Sequence, residues 1–363
     1  MTGRRAARAL GAGATAAAAI LAVGRLAERG ADRVLSAPRR APGEEALRPA
    51  LDALGGEIVS LRSRDGLRLS ARWVPAGAAD DEWRPDPREA VLLVHGWSGS
   101  VAPDLVEFGP FLRRTANVLG LDLRGHGDSD AGPASFGLRE VDDVGGGLAW
   151  LGERGIRRVA LMGSSMGAIV ALAALAVLGD GTLAAADAEP DPPSEPRPAP
   201  RPRVVAAVAE SVPASISTVV ANRIDRRIPA VLRRWLAGRI LAAAARRLGG
   251  DPRDTEPLRV MPLVAPVPVL LVHGTADDLV PVADGELLAA ASATAERFVV
   301  PGAAHSRGHA ADPAAYEARV TGFLRRSLID GRGDRDGRGD PDDAGILAAA
   351  RPPSTAPGAP GAD

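Results

Sequence analysis

"RVALMGSSMG", residues 158–167, runs a strand-like apolar segment into two adjacent serines flanked by glycine, and the helix-like "AIVALAALAVL" follows at once. Its core is Gly163-x-Ser165-x-Gly167. With 42 glycines in 363 residues, roughly one chain of this composition in four would carry such a string by accident, so the setting has to decide. Strand, sharp turn and helix in succession put Ser165 at the apex of the turn with its hydroxyl exposed. Glycine is required two residues to either side, because side chains there would collide where strand and helix pack closely. Only Ser165 meets that spacing; Ser164 does not. The helix start also brings backbone N–H groups and the positive end of the helix dipole to the place where an oxyanion would develop. The Met166 N–H is therefore a candidate donor.

Outward from this point the chain repeats one pattern. Short, fully apolar runs lie at 90–96, 117–127, 158–164, 203–211, 267–274 and 296–302, and segments with apolar residues at helical spacing separate them. Continuous apolar strands alternating with helices predict a parallel, doubly wound sheet covered on both faces, an α/β fold. Before the first run, "EIVSLRSRDGLRLSARWVP" alternates on either side of Asp65-Gly66 and predicts a β-hairpin. The domain is expected over 56–328. Within it, the Pro/Ala/Asp-rich stretch 180–203 is expected as a disordered loop. Residues 212–262, with the basic amphipathic "VANRIDRRIPAVLRRWLAGRILAAAARRLGG", are too long for a tight crossover and fit a helical cap over the strand ends. The Gly/Arg/Asp-rich tail 329–363 is expected to be disordered.

Composition narrows the chemistry. Net charge is −1 and 46% of residues are hydrophobic, which suits a large core and gives no overall pull on nucleic acid. The absence of cysteine excludes disulfides, thiolate metal sites and a Cys nucleophile. Every basic side chain apart from the five histidines is Arg, so no Schiff-base lysine is available. At the N-terminus, Arg4, Arg5 and Arg8 precede an uncharged Ala/Gly-rich stretch over residues 9–24. Residues 1–30 are a candidate membrane anchor or signal segment, with 31–55 as linker, which implies a membrane-associated or exported protein; the other reading is an Ala-rich leader on a cytoplasmic one.

A serine nucleophile needs a base, and the base needs an acid to orient it. "LLVHGTADDLVP" (270–281) leaves a strand and presents Asp277 and Asp278; "VVPGAAHSRGHA" (299–310) leaves the next and presents His305 and His309. Glu210, after the run at 203–209, is a further acid position. Ser…Asp…His is the chain order of one hydrolase class. "LLVHGWSGS" (92–100) ends a strand at His95-Gly96-Trp97, and the Trp97 N–H can join that of Met166 in holding an oxyanion. His95, His126 and His273 also follow strands and are expected to hydrogen-bond backbone, since none shows metal-ligand spacing.

With "HGW", "DLRGHGDSD", "GSSMG", "HGTADDLVP" and "GAAHS" each at a strand end, the chain resembles the α/β-hydrolase superfamily over residues 56–328. The resemblance implies a mostly parallel doubly wound sheet with a helical cap insertion. It also implies that the aspartate of H-G-x-x-D-x-x-V-P, Asp277, is the triad acid and that His305, after the last strand, is the base. The expected site is then Ser165, Asp277 and His305 with the N–H groups of Trp97 and Met166, framed by Gly163 and Gly167. No cofactor or metal is expected. The expected reaction is hydrolysis of an ester with an apolar acyl part, a small-molecule or lipid-like substrate. The competing readings are a peptidase or acylaminoacyl hydrolase of the same fold and an inactive membrane-tethered binding protein.

Overall fold

A computed structural model describes residues 21–79, 81–178 and 201–333. Among these residues eight strands form one sheet: β1 (Glu57–Arg62), β2 (Arg68–Val74), β3 (Glu89–Val94), β4 (Asn117–Leu121), β5 (Arg158–Ser164), β6 (Arg203–Glu210), β7 (Val269–Gly274) and β8 (Ala295–Val300). Their order is β1-β2-β4-β3-β5-β6-β7-β8. The β1–β2 and β2–β4 pairs are antiparallel and the others parallel. The hairpin turns at Asp65-Gly66, where Gly66 takes φ 94°. The apolar run expected over 117–127 stops pairing at Leu121, because Asp122 there turns its carboxylate onto the Val101 and Asp128 N–H groups.

Strands β3 to β7 are apolar apart from their ends, with alternate residues feeding the two faces; β8, at the sheet edge, carries Glu296 and the exposed Arg297. Leu92, Leu119, Leu161 and Leu271 face one layer and Leu93, Val118, Met162 and Leu270 the other. The helices carry the main chemistry of that packing: α1 (21–35), α2 (Arg48–Leu54), α3 (Ala102–Leu112), α4 (Glu140–Glu153), α5 (Met166–Leu178), α6 (Ile216–Asn222), α7 (Ala230–Leu248), α8 (Val282–Ala290) and α9 (Pro313–Gly333). Helices α2, α3 and α9 cover one face; α4 to α8 cover the other. Strand β3 lies between β4 and β5, so successive connections leave it in opposite directions. The carboxyl ends of β3 and β5 are therefore a topological switch point, where open α/β sheets form their ligand crevice.

The segment 212–262 is helical. Ile216, Val220, Ala237, Ile240 and Met261 bury against the α5 side of the sheet. The stretch 180–203 lies outside the described residues except for its last three, of which Arg203 opens β6; of the tail, 329–333 extend α9 and the rest lies outside them.

The N-terminal region departs from expectation. Where a linker was expected over 31–55, the chain holds the end of α1, a short turn at Glu44–Leu47 and α2. Helix α1 docks on α7, with Ala31 and Leu35 packed against Ala243, Ala244 and Leu248. A Cβ on Gly30 would sit 2.6 Å from Ile240 Cγ1, so glycine sets the approach of the two helices. Arg246 pairs with Glu28 and Arg247 with Asp32, each at 2.6 Å. No described helix is long and apolar enough to cross a membrane. Residues 9–20 of the expected anchor stretch lie outside the described residues, and 21–24 belong to α1. The difference from the expected linker is that Gly30, Ala31 and Leu35 form one face that packs on α7, a match set by a segment more than two hundred residues away.

Candidate active site

The turn after β5 forms as the spacing requires. Ser165 takes φ 54°, a left-handed conformation unusual for a residue with a side chain, and α5 starts at the next residue. The flanking glycines are sterically obligatory. A Cβ on Gly163 would lie 2.3 Å from Gly167 O, and one on Gly167 would lie 2.1 Å from Val94 O. The Ser165 N–H is tied to Glu210 O at 2.9 Å, fixing the turn to the end of β6.

Three strand ends converge on this serine. His305 Nε2 lies 2.9 Å from Ser165 Oγ, and His305 Nδ1 lies 2.8 Å from Asp277 Oδ2. Asp277 Oδ1 accepts the Leu279 and Val280 N–H groups at 2.9 and 2.8 Å. Burial pushes the Asp277 carboxyl up, but its bonds to His305, to the Val280 N–H and to the Ser211 hydroxyl outweigh that and hold it below the usual carboxylate range. The acid is ionised at neutral pH, its side chain closed off from solvent while the imidazole stays 21% exposed.

The alternatives are occupied elsewhere. Asp278 is exposed and pairs with Arg226. His309 points its ring nitrogens at Glu317 and Glu107 among the rings of Phe108, Phe111 and Tyr316. Glu210 accepts the Gly308 N–H and the Tyr316 hydroxyl, each at 2.8 Å, and so anchors the loop that carries His305. Ser164 ends β5 buried.

The loop after β3 lies over the serine: a Cβ on Gly96 would be 3.7 Å from Ser165 Cβ. His95 accepts the Leu123 N–H at Nε2 and lies 2.7 Å from Gly96 O at Nδ1. Its burial, with His126 beside it, pushes its pKa down to about 3, so it is neutral and Nδ1–H is the donor. Gly96 C=O and Trp97 N–H belong to one trans peptide unit and point in opposite directions. His95 thus fixes the direction of the Trp97 N–H. His126 Nε2 lies 2.9 Å from Trp97 O and braces the next unit, and His273 bonds Val212 O at 2.9 Å. Among the described residues neither the Trp97 nor the Met166 N–H has an acceptor within the chain.

Some contributors carry no sequence signal. Ser211, at φ 49°, accepts the Ser306 N–H at 2.9 Å and touches the triad-like acid. The Trp97 indole N–H donates to Val34 O of α1 at 2.8 Å, and Arg223 at the end of α6 stands 5.3 Å over the same ring. The indole is thereby tied to the N-terminal helix. The strings around Ser165, Asp277, His305 and Trp97 mark those residues locally, whereas Ser211, Val34 and Arg223 come from segments with no such string. Among the described residues no group of three or more His, Asp or Glu side chains could hold a metal ion.

Comparison with known proteins agrees with this architecture. The uncharacterized protein YfhR of Salmonella typhimurium is 26% identical over 281 residues, 75% of this chain and 80% of that protein; YfhR of Salmonella typhi is 26% identical over 282 residues, with 76% and 80% covered. Among solved structures, the esterase Pf2001 of Pyrococcus furiosus superposes with a TM-score of 0.54 at 22% identity, over 81% of this chain and 98% of that one. The alpha/beta hydrolase family matches residues 91–319, more than half of the chain, and with this sheet order and elbow the chain belongs to the alpha/beta hydrolase family.

Proposed function

We propose that the protein is a serine hydrolase that cleaves an ester-type acyl bond through an acyl-enzyme at Ser165. The observation that carries this reading is the continuous Ser165–His305–Asp277 hydrogen-bond chain at 2.9 and 2.8 Å. Ser165 Oγ attacks the ester carbonyl carbon as its proton passes to His305 Nε2, and Asp277 stabilises the resulting imidazolium. The negative charge that moves to the carbonyl oxygen is held by the Trp97 and Met166 N–H groups. Collapse of this intermediate breaks the C–O bond, and His305 returns the proton to the departing alcohol. Water then attacks the acyl-enzyme with His305 as base, releasing the carboxylic acid and restoring the Ser165 hydroxyl. The esterase name of the Pyrococcus structure agrees with an ester substrate, and the Val, Ile, Leu and Ala of 212–262 suit an apolar acyl part.

Labelling with a fluorophosphonate probe tests the nucleophile. Wild type and Ser164→Ala are expected to label, and Ser165→Ala is expected not to. Label that persists in Ser165→Ala and vanishes in Ser164→Ala would sink the assignment. A panel of p-nitrophenyl esters beside an acylaminoacyl peptide tests the bond type: ester turnover is expected, and cleavage of the peptide alone makes the protein a peptidase.

A further inference from the structure

The cap carries a feature the chemistry does not use. Helix α7 leaves Val231, Leu232 and Trp235 exposed at 77%, 54% and 53%. Val231, Trp235 and Arg239 are four residues apart and so lie on one stripe of the helix, facing away from the buried Ala237, Ile240 and Leu241. The charge around them is one-sided. Residues 223–239 hold six arginines against one aspartate, in a chain of net charge −1. Arg227 reaches only Asp225, at 3.8 Å and almost fully exposed, and Arg234 and Arg239 have no ion pair among the described residues. In the second half of the same helix the basic side chains are neutralised by α1, through Arg246–Glu28 and Arg247–Asp32. The unpaired half is thus the half α1 does not cover.

The patch also follows in sequence on groups that touch the candidate site. Helix α6 ends with Asn222 bonded to Leu279 O on the acid loop, and Arg223 over Trp97 on the opposite side. Residues 226–239 continue from there.

We propose that the N-terminal half of α7 docks the protein on an anionic lipid bilayer surface. Val231, Leu232 and Trp235 would enter the headgroup–acyl boundary, and Arg227, Arg234 and Arg239 would face lipid phosphates. Tryptophan and aliphatic side chains on one face of a helix with arginines beside them are the composition of an interfacial helix. Basic residues near an anionic bilayer add to the attraction, and salt weakens it. The contact is peripheral and independent of any membrane span, and binding is its readout, so it does not depend on the reaction assigned above.

The test is sedimentation of the full chain with vesicles of phosphatidylglycerol and phosphatidylcholine, and with phosphatidylcholine alone, at low and high salt. Wild type is expected to bind the anionic vesicles and to be released by salt. Replacing Arg227, Arg234 and Arg239 together by Gln should raise the apparent Kd about a hundredfold. Leu232→Ser with Trp235→Ser should raise it at least about tenfold. The substituted side chains are exposed, so unchanged thermal midpoints keep a binding loss from being a folding loss. Wild type that ignores anionic vesicles overturns the proposal, as do cap variants that bind like wild type. So does loss of binding only on replacing Arg4, Arg5 and Arg8. A wild-type dimer that Leu232→Ser with Trp235→Ser dissociates would make the patch an interface between copies, and likewise overturns it.

Discussion

In the proposed reaction, the contact of Ser165, His305 and Asp277 depends on one acceptor pair. The Asp277 carboxylate spends Oδ1 on two backbone N–H groups and leaves Oδ2 to His305. That division orients the imidazole so that Nδ1 carries hydrogen and Nε2 presents its lone pair to Ser165 Oγ. Asp277→Asn keeps the shape and the Oδ1 contacts but can offer an N–H to Nδ1, which moves the ring hydrogen to Nε2 and leaves the serine without a base. The expected result is a fall in kcat for a soluble ester of about 10⁴, with a thermal midpoint within a few degrees of wild type. A loss of less than about tenfold would show that another group holds His305. Choosing Asp277 over Asp278 in the sequence rested on the family pattern, because both leave the same strand; the geometry separates them through burial, with Asp278 standing in solvent beside Arg226.

At the scale of elements, the elbow was legible because its constraint is local. Glycine at 163 and 167 follows from strand β5 and helix α5 crossing within four residues, and the distances from their missing Cβ atoms to Gly167 O and Val94 O measure that constraint. Gly167→Ala drives a methyl group to 2.1 Å from a backbone oxygen of β3, and neither backbone can yield without parting strand from helix. A destabilisation of at least about 3 kcal/mol is expected by urea denaturation. Gly155→Ala is the comparison: it meets open space but sits at φ 82°, so it should cost only about 1 kcal/mol. Equal effects at the two positions would refute the steric account. The α1–α7 contact was not legible for the converse reason. Ala31 and Leu35 fall in the stretch expected as linker, and what selects packing is the complementary Ala243–Ala244 face more than two hundred residues away.

For the whole molecule, the alternation of apolar runs and helical segments was enough to give the layered sheet, since each run reports its own burial. Strand order and polar contacts between layers are set by long-range packing that no single segment encodes. Asp104 is the clearest case. It stands in the first turn of α3, where the helix dipole favours an acid. In the fold the residue is half-buried, and its Oδ2 is closed to solvent with no hydrogen-bond partner among the described residues. Burial first, then Glu107 and Glu210, push its pKa up to about 8; burial raises the Glu210 carboxyl as well. The folded chain therefore keeps a proton on Asp104 that the unfolded chain releases near pH 3.8. Its stabilising share is present in full below that value and is lost as pH rises toward about 8, at up to about 1.4 kcal/mol per pH unit for one proton. Asn in place of Asp104 copies the neutral form at every pH. Asp104→Asn is thus expected to match wild type near pH 4 and to melt several degrees higher at pH 8 to 9, which thermal scans across that range will read; parallel curves for the two proteins would mean that Asp104 titrates as an ordinary surface acid.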